Sequence, residues 1–361
     1  MVKTASHTQV TPVLFQDRTA KGISMKIVVP LELYPKGPAV AAPTRRPDSI
    51  RRTSTIDSVW PEGIEANRTV VGRSRDLFTP RDGSKPVVLA EDALFVTVAP
   101  DRGIVAMEAV PAREGIKVLV GATGGSNSRG RVVDAVPEEV AAGTPLYLLL
   151  DDLSGATLVG SVALRFWQSP EELEKQNEKM KAMAGTRVME GICAGFAPGS
   201  TALNPDGTNR SMGDTKPVPP IDNPNDPYAW HELTSQPGAS HRRSRRIDVW
   251  VEDGIAHIEA FFQDSYTSPE GQRHAVHEYE VSATADPTTG NVISISADPR
   301  VLPHYECPMA TLSVGRMVDQ PLRNFRSSVN EKLPGIDGCT HMNDTLRSLA
   351  EVPILIAQLP H

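Results

Sequence analysis

The stretch Gly338-Cys339-Thr340-His341-Met342-Asn343-Asp344 places a thiol, an imidazole and a carboxylate at the mouth of a predicted helix. Free N–H groups and the macrodipole at a helix start lower a thiol pKa and attract anions. Cys339 is therefore a candidate nucleophile or general acid, with His341 beside it. The plain alternative is a small buried Cys and a His bonded inside the fold. His274-Ala275-Val276-His277-Glu278-Tyr279-Glu280 alternates like a strand, which puts His277, Tyr279 and Val281 on one face. If that face points inward, His277 and Tyr279 can serve as base and acid; if outward, they decorate a polar strand. Asp264 is a further candidate acid, although its recurrence as Asp76 favours a structural pairing with Arg. The same holds for Arg52 and Arg246. Asp151-Asp152 closes an apolar run and reads as a helix cap rather than a base. His277, Cys307, Cys339 and His341 are chemically acceptable zinc ligands. They lack C-x-x-C or H-x-x-x-H spacing, so neither a metal nor a cofactor is expected. Gly121 to Gly125 matches neither a Walker loop nor a dinucleotide fingerprint, and no G-x-S-x-G or H-E-x-x-H occurs.

The elements that must position these groups are short. The chain has 361 residues, 39% hydrophobic and 22% charged, with a formal charge of −7. That is globular composition, long enough for two domains or one large one. The acidic balance speaks against nucleic acid and against an anionic membrane surface as partners. No apolar run approaches the roughly 20 residues of a membrane span. The first residues lack a signal-peptide pattern, and three cysteines are too few for a disulfide framework, so a cytoplasmic location is expected. The 31 prolines and 27 glycines imply many turns and at least one long irregular segment.

Residues 1–48 read as an N-terminal extension with one edge strand near Met25–Leu33, demoted by Pro30. Residues 49–168 form a first sheet-and-helix unit. Residues 169–240 open with a helix, where Ser169, Pro170 and Glu172 make a capping box, and continue as a covering segment dense in Pro and Gly. Its apolar anchors, Phe196 and Trp230 among them, favour a packed cover over a free tether. Residues 241–361 form a second unit. The halves run in parallel: Arg51-Arg52 then Ile56-Asp57 matches Arg242-Arg243 then Ile247-Asp248, and Asp76 matches Asp264. The expected fold is α+β, two pseudo-repeated antiparallel sheet-plus-helix units with a long covering loop, each burying sheet faces against helices and against the other unit.

The C-terminal half also resembles a bacterial family of unknown function. Arg245-Arg246-Ile247-Asp248-Val249, His277-Glu278-Tyr279, Cys307-Pro308 and Gly338-Cys339-Thr340-His341 carry the resemblance over residues 241 to 355, with Met342 where the family usually has Leu. It implies no reaction. The function expected from the residues is a cofactor-independent acid/base enzyme, a lyase, isomerase or hydratase, acting on a small, mostly apolar catabolite between the two units. Cys339, His341, His277, Tyr279 and Asp264 would do the chemistry. Trp230, His231, Phe196 and Arg246 would hold the substrate under the 185–240 segment. A non-catalytic binding or scaffold protein is the rival, and a zinc-dependent hydrolase the second. The expected partner is a small molecule, with a homo-oligomer left open.

Overall fold

The computed structural model describes residues 13–360 except 20–21, 64, 124–127, 176–177, 179–188, 211–212 and 237. A hairpin of β1 (Val13–Thr19) and β2 (Gly22–Val28) stands apart. The strand stops before Pro30, whose missing N–H ends pairing there. The main sheet is built from β3 (Ser49–Val59), β4 (Arg68–Thr79), β5 (Val87–Val98), β6 (Ile104–Val110), β8 (Ser240–Glu252), β9 (Ile255–Thr267), β10 (Arg273–Ala285) and β11 (Val292–Val301). A two-residue β7 (Lys216–Pro217) pairs with β10. The order is β11-β10-β9-β8-β3-β4-β5-β6, and all neighbours are antiparallel. The protein is thus mixed α+β around one nine-stranded sheet. The two halves do not stack sheet on sheet; their strands continue one another through β3 and β8.

Charge complementarity sets that central register. Arg51 lies opposite Asp248, and Asp57 opposite Arg242, so the two strands lock by two cross-strand pairs. Arg51 Nε donates to Asp248 Oδ1 at 2.5 Å, and Arg242 Nε donates to Asp57 Oδ1 at 2.6 Å. On the other side chains of the same strands, Arg52 pairs with Asp76 on β4 at 2.6 Å, and Arg243 with Asp264 on β9 at 2.8–2.9 Å. Both central strands are buried for their first ten residues. Doubly covered strands usually read as apolar runs; these read Arg, Ser, Thr and Asp. Buried ion pairs contribute little net stability, but breaking one is costly, so they specify the pairing rather than strengthen it.

The period of two sorts side chains onto two faces. Arg52, Ile56, Arg243, Arg245, Ile247, Asp264, Phe262, His277 and Tyr279 share the helical face, which the Pro145–Val159 and Thr340–Ser348 helices cover. Gly72 on β4 permits this approach in the first half: a Cβ there would stand 3.2 Å from a Leu149 methyl. Arg51, Thr53, Thr55, Asp57, Arg242, Arg246 and Asp248 share the loop face, which lies under residues near 43 and 229–234.

The Pro145–Val159 helix starts at Pro145 with Thr144 as N-cap. Together with its 3₁₀ continuation, Pro145–Phe166 is long and apolar enough to cross a membrane by length and composition, but 72% of its apolar window is buried in the protein. The apolar run was therefore a core helix. Asp151 and Asp152 sit in its middle, not at a cap. Asp151 meets Arg326 and Arg347, and Asp152 meets Arg245. The Ser169 capping box forms as expected, Ser169 N donating to Glu172 Oε2 at 2.7 Å and Glu172 N to Ser169 Oγ at 3.2 Å. The continuation of that helix to Ala184, the start of the covering segment and residues 124–126 of the Gly-rich loop lie outside the described residues.

Candidate active site

The inward face of β10 carries two of the candidate groups. His277 pairs in register with Asp264 of β9, after a bulge between Ala275 and His277 that brings the imidazole onto the helical face. The Thr340–Ser348 helix begins with Cys339 at its N-cap and presents His341 from its first turn. The two imidazoles stack, with ring centroids 3.4 Å apart and planes at 15°. Both remain half-buried, whereas Asp264 beneath them is fully buried. His341 Nε2 lies 3.7 Å from Asp264 Oδ2. Below, Arg243 grips both carboxylate oxygens, and His241 Nε2 lies 3.2 Å from Oδ1.

The ion network reaches into the first half of the chain. Arg243 Nη1 also lies 3.3 Å from Asp344 and 3.8 Å from Asp152. Arg129 Nη2 donates to Asp344 at 2.5 Å, and Arg245 donates to Asp152 with both Nε and Nη2. Arg243 and Arg245 also cover the Phe262 ring, 5.1 and 4.7 Å from its centroid. Gly155 makes the passage: a Cβ there would meet Arg243 Nη1 at 2.1 Å.

These surroundings hold the imidazoles neutral. Burial pushes His341 down to about 4; Asp264 pulls it back in part, and Arg243 opposes that pull. Burial and the facing His341 push His277 well below the usual histidine range, against the pull of Asp264. Burial alone would raise Asp264, but Arg243 and the His241 contact more than reverse it and hold the carboxyl well below its ordinary value. The site therefore offers a charged carboxylate already neutralised by Arg243, and two uncharged imidazoles above it. Two cationic rings at that spacing would repel, so the pair carries at most one positive charge.

Cys339 behaves differently from the helix-start expectation. Its thiol is buried, 3.9 Å from His341 Nδ1. Burial raises its pKa despite the backbone N–H groups of His341 and Met342 and the neighbouring Tyr279 hydroxyl, so desolvation outweighs the helix terminus. Tyr279 lies inward, on the same face as His277. Its hydroxyl faces the thiol without a hydrogen bond of good geometry, and burial raises it well above 10. Cys193 and Cys307 come to the same region, and burial pushes Cys193 up to about 12. Gly195 allows this closeness, since a Cβ there would stand 2.5 Å from Cys307 Sγ. Phe196, next to it, packs tilted on His304 at 5.2 Å.

Trp230, His231 and Arg246 lie elsewhere. Trp230 is buried on the loop face beside Phe261, and Arg246 pairs with Asp248 at 2.7 Å there. His231 is held between Thr53 and Thr55 Oγ1 at 2.9 Å each, and burial with the nearby Arg75 pushes it down to about 3. The sheet separates these three from His277 and His341. What sequence reasoning missed was the support under the imidazoles: His241, Arg245, Arg129 and Asp152. Only the doubled Arg-Arg pairs hinted at it.

Asp264, His277 and His341 offer ligand atoms all within 4.8 Å of one another. Two neutral imidazoles and a carboxylate suit zinc or non-haem iron. Against that, Arg243 already occupies both Asp264 oxygens, and its charge faces the place a dication would take.

The match with known proteins falls on this half. Residues 241–355 match the model of a family described as a protein of unknown function, DUF2889. That span holds His277, Cys339, His341, Asp264 and Arg243 but neither Asp152 nor Arg129. No curated protein and no solved structure matches the chain.

Proposed function

We propose that the protein is a cofactor-independent acid/base enzyme, a lyase, isomerase or hydratase, acting on a small and mostly apolar molecule. His277 and His341 are its working pair. One observation carries the reading: two neutral, half-buried imidazoles stack directly over a carboxylate whose charge Arg243 has already cancelled. One neutral ring removes a proton from a carbon or hydroxyl centre and becomes the single imidazolium the pair can hold, and that imidazolium then gives the proton back to the substrate. Asp264 fixes the pair and stabilises the imidazolium that forms. Cys339 and Tyr279, both held protonated by burial, form the floor rather than supply a nucleophile. Phe262 stands beside His341 and Phe196 packs on His304, whereas Trp230, His231 and Arg246 fall to a separate role on the loop face.

We further propose that the chain is a tandem duplication whose second copy gained the imidazoles. The palindromic strand order and the matched pairs Arg51–Asp248 with Arg242–Asp57, and Arg52–Asp76 with Arg243–Asp264, support this. The site then lies at the border of the copies, since Arg129 and Asp152 of the first reach Asp344 and Arg243 of the second.

The ligand-atom spacing of Asp264, His277 and His341 favours a metal-dependent hydrolase as the second reading. Profiling the purified protein against small catabolites, with and without added zinc, separates the two. The acid/base reading expects turnover indifferent to chelator and lost about 100-fold or more in His277→Ala and His341→Ala. Turnover that needs zinc, or that survives both substitutions, rejects it.

A further inference from the structure

The loop face holds a cavity of about 340 Å³ between β7 and the start of β10. Val218, Pro219, Pro220 and Ile221 give it an apolar wall, and Arg242 and Arg273 give it a cationic one. The size matches ligand pockets for small molecules, which are mostly apolar with a few placed polar groups.

The two guanidiniums differ in their partners. Arg242 is neutralised: its Nε and Nη2 donate to the two oxygens of Asp57 at 2.6 and 3.1 Å. Arg273 is not. Its Nη1 donates to Ser265 O at 3.4 Å and Ser265 Oγ at 3.1 Å, and its Nη2 to Ser240 Oγ at 3.4 Å. No carboxylate among the described residues lies within 4.0 Å of it. Three neutral, mostly long contacts leave a half-buried cation without a counter-charge, which is costly unless something supplies one. The strain is visible in its acidity: burial and the adjacent Arg242 push Arg273 down to about 10, with only a distant pull from Asp57. Arg242 and Arg273 are the charged groups lining the cavity, and with Asp57 cancelling Arg242 they leave a single positive charge.

We propose that this cavity binds a small organic carboxylate with an apolar body. Its carboxylate completes Arg273, with the free edge of Arg242 beside it, and its body lies against Val218, Pro219, Pro220 and Ile221. One excess charge fits a monoanion, and a planar guanidinium fork matches a carboxylate in two-point geometry. The apolar wall favours an organic acid over free phosphate. The site is on the opposite side of the sheet from His277 and His341 and does not depend on their chemistry.

Isothermal titration of the full-length protein with benzoate, benzyl alcohol and inorganic phosphate tests this directly. The expected result is saturable 1:1 binding of benzoate, none of benzyl alcohol at the same concentrations, and phosphate at least 10-fold weaker. Arg273→Gln should weaken benzoate at least 10-fold while melting, without ligand, at or above the wild-type temperature, because an unpaired half-buried charge has been removed. A merely structural Arg273, holding Ser240 and Ser265, would instead lower that melting temperature. Should Arg273→Gln fail to fold, Pro220→Trp, an exposed position on the wall, should abolish benzoate binding with Arg273 intact. No saturable benzoate binding, or equal affinity in wild type and both variants, overturns the proposal. Phosphate binding as tightly as benzoate overturns the organic-acid assignment.

Discussion

At the scale of residues, the site turns on which groups are charged. The folded protein holds His341 near 4 and His277 well below the usual histidine range, against about 6.5 in an unfolded chain. Between those values the unfolded state binds more protons, so stability is fully present above about pH 6.5 and is lost as pH falls toward 4. For His341 the loss is at most about 3 kcal/mol. Denaturant titrations from pH 7 to 4 should show that decline, and His341→Asn should flatten it; a profile unchanged by the substitution would mean His341 is not held neutral. That His277 and Tyr279 share a face was legible from plain alternation along β10, but the direction of that face was not. Nor was the state of Cys339. Its helix start can be read from sequence, but the desolvation that overrides it depends on Cys193, Cys307 and Tyr279 arriving from three distant segments.

At the scale of elements, the buried Arg–Asp pairs decide how strands and helices meet. Asp264→Asn would leave Arg243 buried with half its partners, and the expected cost is about 3–5 kcal/mol. Gly155→Ala pushes on the same guanidinium from the helix side and should cost about 1–3 kcal/mol by overpacking. Chemical denaturation measures both, and because they act on one network their combined loss should fall short of the sum. Full additivity would mean that the helix and β9 do not share Arg243. Strands and turns were legible here because each hairpin has strong turn residues and a clean period. The covering segment was not. With little periodicity, nothing in it indicated that Cys193 to Phe196 would join the helical face while Trp230 and His231 crossed to the other. The residues expected around a single pocket therefore divide between the two faces of the sheet.

At the scale of the whole molecule, one sheet runs through both halves. Two buried Arg–Asp pairs, Arg51–Asp248 and Arg242–Asp57, cross the β3–β8 seam, Arg52–Asp76 and Arg243–Asp264 flank it, and the ion network under the imidazoles draws on both halves. Calorimetry should accordingly show one cooperative unfolding transition, and Asp57→Asn, which strands Arg242, should lower that transition without splitting it. Two separable transitions would show the halves to be independent units. The sequence carried the seam in plain view, as Arg-Arg and Asp recurring at matched spacing, but a match between halves does not say whether copies stack or join edge to edge. Only the cross-strand complementarity of Arg51 with Asp248 and Arg242 with Asp57 distinguishes them.

The central claim is that His277 and His341 move a proton between them and a substrate. Incubating the protein in heavy water with a panel of small carbon acids and following loss of C–H signals by NMR tests it most directly. The expected result is exchange into at least one compound by wild type, falling about 100-fold or more in both His277→Ala and His341→Ala. Exchange that persists in either variant, or a panel with no exchange at all, contradicts it.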